Sequence, residues 1–242
     1  MVVHFVTFCN QSLSKTLERV KKEAIESKFF DVIHCLTEKE LDPSFMEKHR
    51  TFLETNKRGY GYYLWKPQCV LQVLNSMNED DILVYADGGC TINFNGRDRF
   101  LNYIELVNTH SFLSFQLRDE HHIELKEYIW SKGDVLDYFN VRNRDDIINT
   151  NQYIATVFLL KKCPETIELI NEWLRICCQY DYKFIDDSIS SSPNHNKFRE
   201  HRHDQSIFSI LRKIKKIGTV LPDETWPINI QKWPIWATRK KY

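Results

Sequence analysis

The sequence has no net charge and no long apolar run, two features that mark several classes of protein. Its 242 residues carry 33 basic and 33 acidic side chains, so no overall field attracts nucleic acid or an anionic membrane. No apolar run approaches the length of a membrane span, and the first residues lack the leading positive charge of a signal peptide. We therefore expect a cytoplasmic protein with no nucleic acid partner and no integral membrane segment.

Cysteine motifs and a glycine-rich loop are also missing. The seven cysteines form no CxxC, and their odd number, with an adjacent pair at Cys177 and Cys178, argues against a disulfide framework and for a reducing compartment. Residues 9–12 (CNQS), which follow the first predicted strand, contain no glycine. This disfavours a nucleotidyltransferase, which would use a glycine-rich phosphate loop there.

Hydrophobic periodicity predicts alternating strands and helices. Residues 2–8 and 30–36 are predicted strands on either side of a helix near 12–27, and such a β-α-β opening generates a parallel sheet with helices on its faces. Further helices are predicted at 43–56, 67–77, 100–107, 133–139, 164–180 and 207–214, and further strands at 81–86, 111–117 and 153–160. We expect an α/β/α sandwich of Rossmann-like type with a mostly parallel sheet, forming one domain over 1–242 in which 216–242 are a C-terminal extension.

The predicted strand 81–86 ends at Asp87, which Gly88 and Gly89 follow. A carboxylate at the carboxyl end of a strand, with no side chains behind it, lies in a crevice that a ligand can approach closely. A plain surface turn is the alternative, because Asp and Gly are ordinary turn residues. Metal and diphosphate chemistry uses such a corner, although a divalent cation needs more oxygens than Asp87 alone supplies.

Residues 59–67 (GYGYYLWKP) combine aromatic side chains with a lysine. Tyr60 and Trp65 are candidates for a wall against a base or sugar, although burial in the core is the better interpretation of Trp65 taken singly. Pro67 fits the first position of a helix, which places Lys66 at the helix N-terminus. Since a lysine there is unfavourable unless an anion joins it, we predict that Lys66 meets phosphate.

A cluster of polar residues, His201, His203 and Asp204, precedes the last predicted helix. Imidazole and carboxylate groups together suit Mn²⁺ or a similar ion, so the cluster is a candidate metal site. In the structural alternative, Asp204 caps the helix and the histidines face solvent. The pair His121 and His122 lies in a charged stretch and is interpreted as solvated surface.

Three motifs, GYGYYLWKP at 59–67, LVYADGGC at 83–90 and HRHDQS at 201–206, resemble those of small bacterial and viral GT-A glycosyltransferases. These enzymes are distantly similar to the glycogenin and lipopolysaccharide galactosyltransferase type. The resemblance spans residues 2–215. It implies the GT-A fold and a retaining, hexosyltransferase type of activity that moves a sugar from a nucleotide-sugar donor to a hydroxyl acceptor on a glycan or protein-linked glycan, as in polysaccharide biosynthesis.

The resemblance also implies roles for individual residues. Asp87 takes the first position of an Asp-x-Asp motif that holds Mn²⁺ or Mg²⁺ against the nucleotide diphosphate, whereas Gly89 replaces the second aspartate. Lys66 matches a basic residue near the diphosphate. The catalytic pair is Asp204 and Gln205, beside the transferred sugar. The remaining residues that would bind the donor are Tyr60, Trp65, Gly88, Thr150, Gln152 and Ala155.

The third metal ligand of the family is a histidine in a C-terminal motif, and this sequence has none after His203. Either His201 or His203 takes its place, or water does. Two alternatives to a glycosyltransferase remain open. One is a nucleotidyltransferase or other nucleotide-sugar enzyme, and the other is a non-catalytic carbohydrate-binding protein.

Overall fold

A computed structural model of the chain describes residues 1–119 and 123–242. Its centre is a six-stranded sheet in the order β2-β1-β3-β6-β5-β7. The strands of this sheet are β1 (Val3–Phe8), β2 (Val32–Leu36), β3 (Ile82–Ala86), β5 (Phe112–Gln116), β6 (Val157–Lys161) and β7 (Thr219–Pro222). A separate two-stranded ribbon pairs β4 (Thr91–Ile92) with β8 (Ile235–Trp236).

Helices connect most of these strands. They are α1 (Ser14–Ser27), α2 (Pro43–Thr55), α3 (Gly59–Tyr62), α4 (Trp65–Ser76), α5 (Arg97–His110), α6 (Glu127–Trp130), α7 (Gly133–Tyr138), α8 (Asp145–Ile148), α9 (Pro164–Cys177) and α10 (His203–Lys215), with short 3-10 turns at Gln11–Leu13 and Phe94–Gly96. None of the described helices is both long and apolar enough to cross a bilayer.

Each face of the sheet is covered by its own hydrophobic cluster. Side chains alternate along β3, so that Leu83 and Tyr85 pack with α2, α4, α9 and α10, whereas Ile82 and Val84 pack with α1 and α5. The run of apolar residues in β3 is explained by this burial on both sides. The expected α/β/α layering is confirmed.

The sheet is mostly parallel, as expected, with one exception. Strands β2, β1, β3, β5 and β7 share one direction, and β6 runs antiparallel to both of its neighbours, β3 and β5. The start of β6 therefore lies at the edge where β3 ends, and the amide of Asp87 donates to the carbonyl of Thr156 at 2.9 Å. This reversal brings residues just before β6 to the carboxyl edge of the parallel strands.

The structure differs from the sequence-based expectation in the start of one strand and in several short strands that the sequence does not predict. The strand predicted at 153–160 begins only at Val157, because the amides of Tyr153 and Ala155 donate to side chains of α10 rather than to a neighbouring strand. Strand β7 and the β4–β8 ribbon, which both involve residues 216–242, have no period in the sequence and were not predicted.

Candidate active site

Three polar side chains meet at the carboxyl edge of the sheet. Helix α4 leads into β3, and α10 leads into β7, so both helices begin at the edge where the parallel strands end. Lys66 lies in the first turn of α4 and Asp204 in the first turn of α10, while Asp87 directly follows β3. The topology therefore places these three predicted site residues together.

Asp87 is held by the strand that precedes it. Its side chain points to the same side as that of Tyr85, two residues earlier, and the Tyr85 hydroxyl donates to its Oδ1 at 2.6 Å. The carboxylate is 32% exposed. Asp87 therefore presents a positioned acceptor group to solvent at the mouth of the site.

The backbone after Asp87 is fixed by its neighbours. A Cβ at Gly88 would lie 2.2 Å from the Cys9 Sγ, so only glycine permits β1 to end this close. The Arg19 guanidinium donates to the carbonyls of Gly88 and Cys90, at 2.7 Å in each case. The turn over residues 87–90 is consequently pinned from α1 and β1. The sequence carries no signal for Arg19.

Lys66 is the centre of the cluster. Its side chain is only 4% exposed, and its Nζ lies 3.0 Å from the Asp204 Oδ2 and 3.2 Å from the Asp87 Oδ1. It also donates to the carbonyl of Ala155 at 3.1 Å. The anion that a lysine at a helix N-terminus requires is thus provided by two carboxylates of the same chain.

One ammonium is shared by two carboxylates. This favours the charged form of Lys66, whereas it leaves the charged form of Asp204 only partly compensated. Burial opposes the charge of Lys66, but Asp204 and Asp87 outweigh it and hold the pKa of Lys66 above its ordinary value. Burial raises the pKa of Asp204 to about 6, in spite of the opposing effect of Lys66 and with a further contribution from Asp87. Lys66 therefore stays charged, whereas Asp204 titrates in mildly acidic solution.

Gln205 joins this cluster to a buried polar group behind it. Its Oε1 accepts from the amide of Ala155 at 3.3 Å, and its Nε2 donates to the Oε1 of Gln152 at 2.9 Å. Gln152 is fully buried and its Nε2 lies within 3.2 Å of acceptors on Glu127, Ser131 and Ser206. Gln152 supports Gln205 from behind, and Gln205 itself is half-buried.

Glu127, Gln152, Ser209 and Lys213 form what we call the rear network. The Lys213 Nζ lies 2.6 Å from the Glu127 Oε1, which also accepts from the Ser209 hydroxyl, and Glu127 is fully buried. Sequence reasoning missed Glu127 and Lys213. A signal for the second existed, because Ser206, Ser209 and Lys213 recur at spacings of three and four in the helix, around the apolar residues 207, 208, 210 and 211.

Several predicted donor-binding residues are engaged elsewhere. Trp65 is 6% exposed, stacks on Phe8 at 4.1 Å and donates its indole N–H to the carbonyl of Gly59. Tyr60 is half-buried, also beside Phe8. The Thr150 hydroxyl donates to the carbonyl of Ile147 at 2.6 Å. These contacts are those of packing and of a turn.

The two histidines of the HRHDQS motif are buried and face backbone carbonyls. His201 Nε2 lies 2.9 Å from the carbonyl oxygen of Phe184, and His203 Nδ1 lies 2.7 Å from that of Ile185. Burial lowers the pKa of both imidazoles. They hold the chain before residue 186 rather than face solvent, and Arg202, not Asp204, is the N-cap of α10. His121 and His122 lie outside the described residues.

The donor set does not fit a resident divalent ion. Within residues 1–119 and 123–242, no three His, Cys, Asp or Glu side chains are grouped so that they could hold a metal ion. Gly89 supplies no second carboxylate, and the Lys66 ammonium, 3.2 Å from Asp87 Oδ1, would repel a cation there. The residues of the site therefore do not match the Mn²⁺ or Mg²⁺ that the resemblance implies.

No protein-family model and no curated protein matches the sequence. Solved structures resemble the fold. Mouse xyloside xylosyltransferase 1 is 12% identical with a TM-score of 0.46, covering 93% of this chain and 73% of that one. A glycosyltransferase involved in glycosylation of the PBCV-1 major capsid is 11% identical with a TM-score of 0.41, covering 74% and 69%. The 4-diphosphocytidyl-2C-methyl-D-erythritol synthase of Anaerococcus prevotii is 10% identical with a TM-score of 0.45, covering 92% and 88%.

Two of these three structures are glycosyltransferases by name, and all three TM-scores lie below 0.5. Identities of 10–12% describe a similarity of architecture. The chemistry is argued from the residues at the carboxyl edge of the sheet.

Proposed function

We propose that the protein is a glycosyltransferase that moves a sugar from a nucleotide-sugar donor to a hydroxyl acceptor. The observation that supports this most directly is the Asp87–Lys66–Asp204 cluster at the carboxyl edge of the sheet, with Gln205 beside it. Ligands of open α/β sheets bind in the crevice outside the carboxyl ends of the strands. A nucleotide-sugar bound there brings its diphosphate and its sugar to charged groups of fixed geometry.

The charges of the cluster match those that develop during glycosyl transfer. The transition state carries positive charge near the anomeric carbon and negative charge on the departing group. Asp204, which is negative when ionised, is suited to the first, and Lys66, which stays protonated, to the second. Both side chains are almost completely buried, so water screens their charges little.

Gln205 is suited to orient the reacting sugar. Its amide is fixed by Ala155 and Gln152, which leaves one Nε2–H and one Oε1 lone pair free for a ligand. A side chain locked in this way loses little conformational entropy when a ligand binds. Hexosyl specificity, retention and a glycan acceptor remain predictions from the resemblance.

The released product distinguishes this proposal from its alternatives. The purified protein is incubated with a panel of nucleotide sugars and simple sugar acceptors, and separately with nucleoside triphosphates and sugar phosphates, with and without Mn²⁺. A glycosyltransferase releases a nucleoside diphosphate in the first set. Release of pyrophosphate in the second set alone would assign a nucleotidyltransferase, and binding of sugars with neither product would assign a carbohydrate-binding protein.

A further inference from the structure

Residues 238–242 (TRKKY), which we call the basic segment, cross the corner formed by residues 87–89. The Lys240 amide and the Thr238 hydroxyl both donate to the carbonyl of Gly89, at 3.0 and 2.9 Å. The Tyr242 amide donates to the Thr16 hydroxyl of α1 at 2.8 Å. The segment is therefore attached on both sides of its three basic residues by contacts that do not use their side chains.

The basic segment occupies the space into which a side chain at position 89 would project. A Cβ at Gly89 would lie 3.2 Å from the Cα of Arg239 and 3.6 Å from the amide nitrogen of Lys240. Position 89 is also where the second carboxylate of an Asp-x-Asp motif would be. The backbone of the basic segment, with its three cationic residues, therefore lies beside the position at which such a motif has its second carboxylate.

The positive charges of the segment act on groups beside the corner that its backbone crosses. Burial and Asp87 raise the pKa of the Cys9 thiol to about 12, while the positive charges of Arg19 and Lys241 oppose them. Burial lowers the pKa of Arg202 to about 10, and the positive charge of Arg239 acts in the same direction. Cys9 lies against Gly88 and Arg202 is the N-cap of α10, so both groups belong to the surroundings of the corner.

These cations are available to a ligand. Arg239, Lys240 and Lys241 are exposed, and none forms a salt bridge with a carboxylate in the part of the chain that the structure describes. By contrast, the buried cluster carries one positive and two negative charges when Asp204 is ionised. An anionic diphosphate placed beside it therefore needs further positive charge.

We infer that the basic segment binds the diphosphate of the donor and supplies the counter-charge that a divalent ion supplies in Asp-x-Asp enzymes. This inference rests on the proposed function, because it places the diphosphate at the corner of residues 87–89. The protein then binds its donor without a metal ion, through charge-assisted hydrogen bonds from Arg239, Lys240 and Lys241. Lys66 remains the partner of the two carboxylates.

Binding in the presence of EDTA tests the inference. Affinities for inorganic pyrophosphate and for UDP, GDP, ADP and CDP are measured by calorimetry on the full chain, with EDTA or with Mn²⁺. The combined variant Arg239→Gln, Lys240→Gln, Lys241→Gln should bind at least about tenfold more weakly in EDTA than the parent. The control Lys22→Gln, Lys48→Gln, Lys216→Gln removes the same charge from exposed positions elsewhere and should change affinity by less than about twofold.

A substitution at position 89 provides an independent test. Gly89→Asp restores the missing carboxylate and also displaces the segment, so it should weaken binding in EDTA and make it respond to Mn²⁺. Gly89→Ala is the control, because its Cβ requires the segment to give by only a few tenths of an ångström, so binding in EDTA should stay close to that of the parent, without a response to Mn²⁺. Melting temperatures confirm that each variant is folded. If the triple variant does not fold, the single variant Lys241→Gln is measured in its place.

The outcomes separate the inference from the proposed function. If EDTA abolishes nucleotide binding by the parent, or if the triple variant binds as tightly as its control, the inference is wrong and the glycosyltransferase proposal stands. If none of the nucleotides binds under either condition and no nucleotide sugar is consumed, the proposed function is wrong, and the inference falls with it.

Discussion

The two sides of Lys66 are built in different ways. On the outer side, Asp87 is 32% exposed and the basic segment carries three exposed cations over Gly89. On the inner side, Gln205 leads into the rear network, where Glu127 and Gln152 are fully buried and hydrogen-bonded. Exposed charges contribute little to stability, whereas a buried charge that loses its partner is costly. We therefore expect the outer side to govern ligand binding and the inner side to govern folding.

Lys66 belongs to both sides, so its loss has the largest expected effect. Lys66→Met leaves Asp87 and Asp204 without their cation, and the free energy of unfolding should fall by about 3–5 kcal/mol. Turnover of the donor should fall by about a thousandfold, because a positioned charge next to the leaving group is lost. Denaturant unfolding and release of nucleoside diphosphate measure the two effects.

Lys162→Met is the matched control for this variant. The Lys162 ammonium is partly buried and donates to the carbonyl of Met77, at the opposite edge of the sheet. We expect its replacement to change stability by less than about 1.5 kcal/mol and to leave turnover unaltered. A loss of turnover in Lys66→Met at full stability would place Lys66 on the outer side alone and break the comparison.

Glu127→Gln separates the inner side from the outer one. Lys213 then keeps a buried ammonium without its carboxylate, and the free energy of unfolding should fall by about 3 kcal/mol. Nucleotide affinity, measured where the variant is folded, should change by less than about threefold, because Glu127 lies behind Gln152 and away from the corner. The double variant Glu127→Gln, Lys213→Met should recover part of the lost stability. A large loss of nucleotide affinity would show that the rear network sets the geometry of the donor site.

The sequence predicted the parts of the site that follow from topology. A helix that leads into a parallel strand begins at the carboxyl edge of the sheet, and this rule brings Lys66 to the same edge as Asp87. For Asp204 the rule operates through β7, which the sequence does not predict. The apolar run of β3 was a sufficient signal for the position of Asp87. The proline signal was wrong by two residues, because α4 begins at Trp65 and Pro67 is its third residue. The ion pairs among the three side chains could not be predicted. Periodicity shows which face of a helix is buried, but it does not give the distances between side chains of different elements.

The roles of the histidines and of the basic segment could not be predicted from the sequence by topology. His201 and His203 were expected at a metal or in solvent, yet they bind carbonyls of residues 184–185, which lie in a loop without a pattern. The basic segment follows a two-residue strand, β8, and its backbone is fixed by Gly89 and Thr16. Contacts of this kind join distant residues through main-chain atoms, which leave no mark in the amino-acid sequence.

Asp204→Asn tests whether the buried carboxylate acts in catalysis or in folding. We expect turnover to fall by about a hundredfold, because loss of a charge directed at the transition state costs roughly 3 kcal/mol. The melting temperature should change little at pH 4, where Asp204 is protonated and, like asparagine, carries no charge. Asp134→Asn is the control, because Asp134 is likewise the second residue of a helix and is nearly buried, but accepts from the amides of Ser191 and Ser192. It should lower stability and leave turnover within about twofold of the parent.

The smallest expected effect is the pH dependence that Asp204 adds to stability. Its pKa in the folded chain is raised to about 6, above the value of about 3.9 expected for an unfolded chain, so the folded state holds the proton more tightly. The contribution of Asp204 to stability is therefore fully present below about pH 4 and is lost as the pH rises through about 6. Relative to Asp204→Asn, which cannot titrate, the parent should lose on the order of 2 kcal/mol of unfolding free energy between pH 4 and pH 7. Lys66 stays protonated throughout this range and does not contribute to the difference. If the difference in unfolding free energy between the two proteins is the same at pH 4 and at pH 7, Asp204 is solvated in the folded state. The inner side of Lys66 would then be open to water.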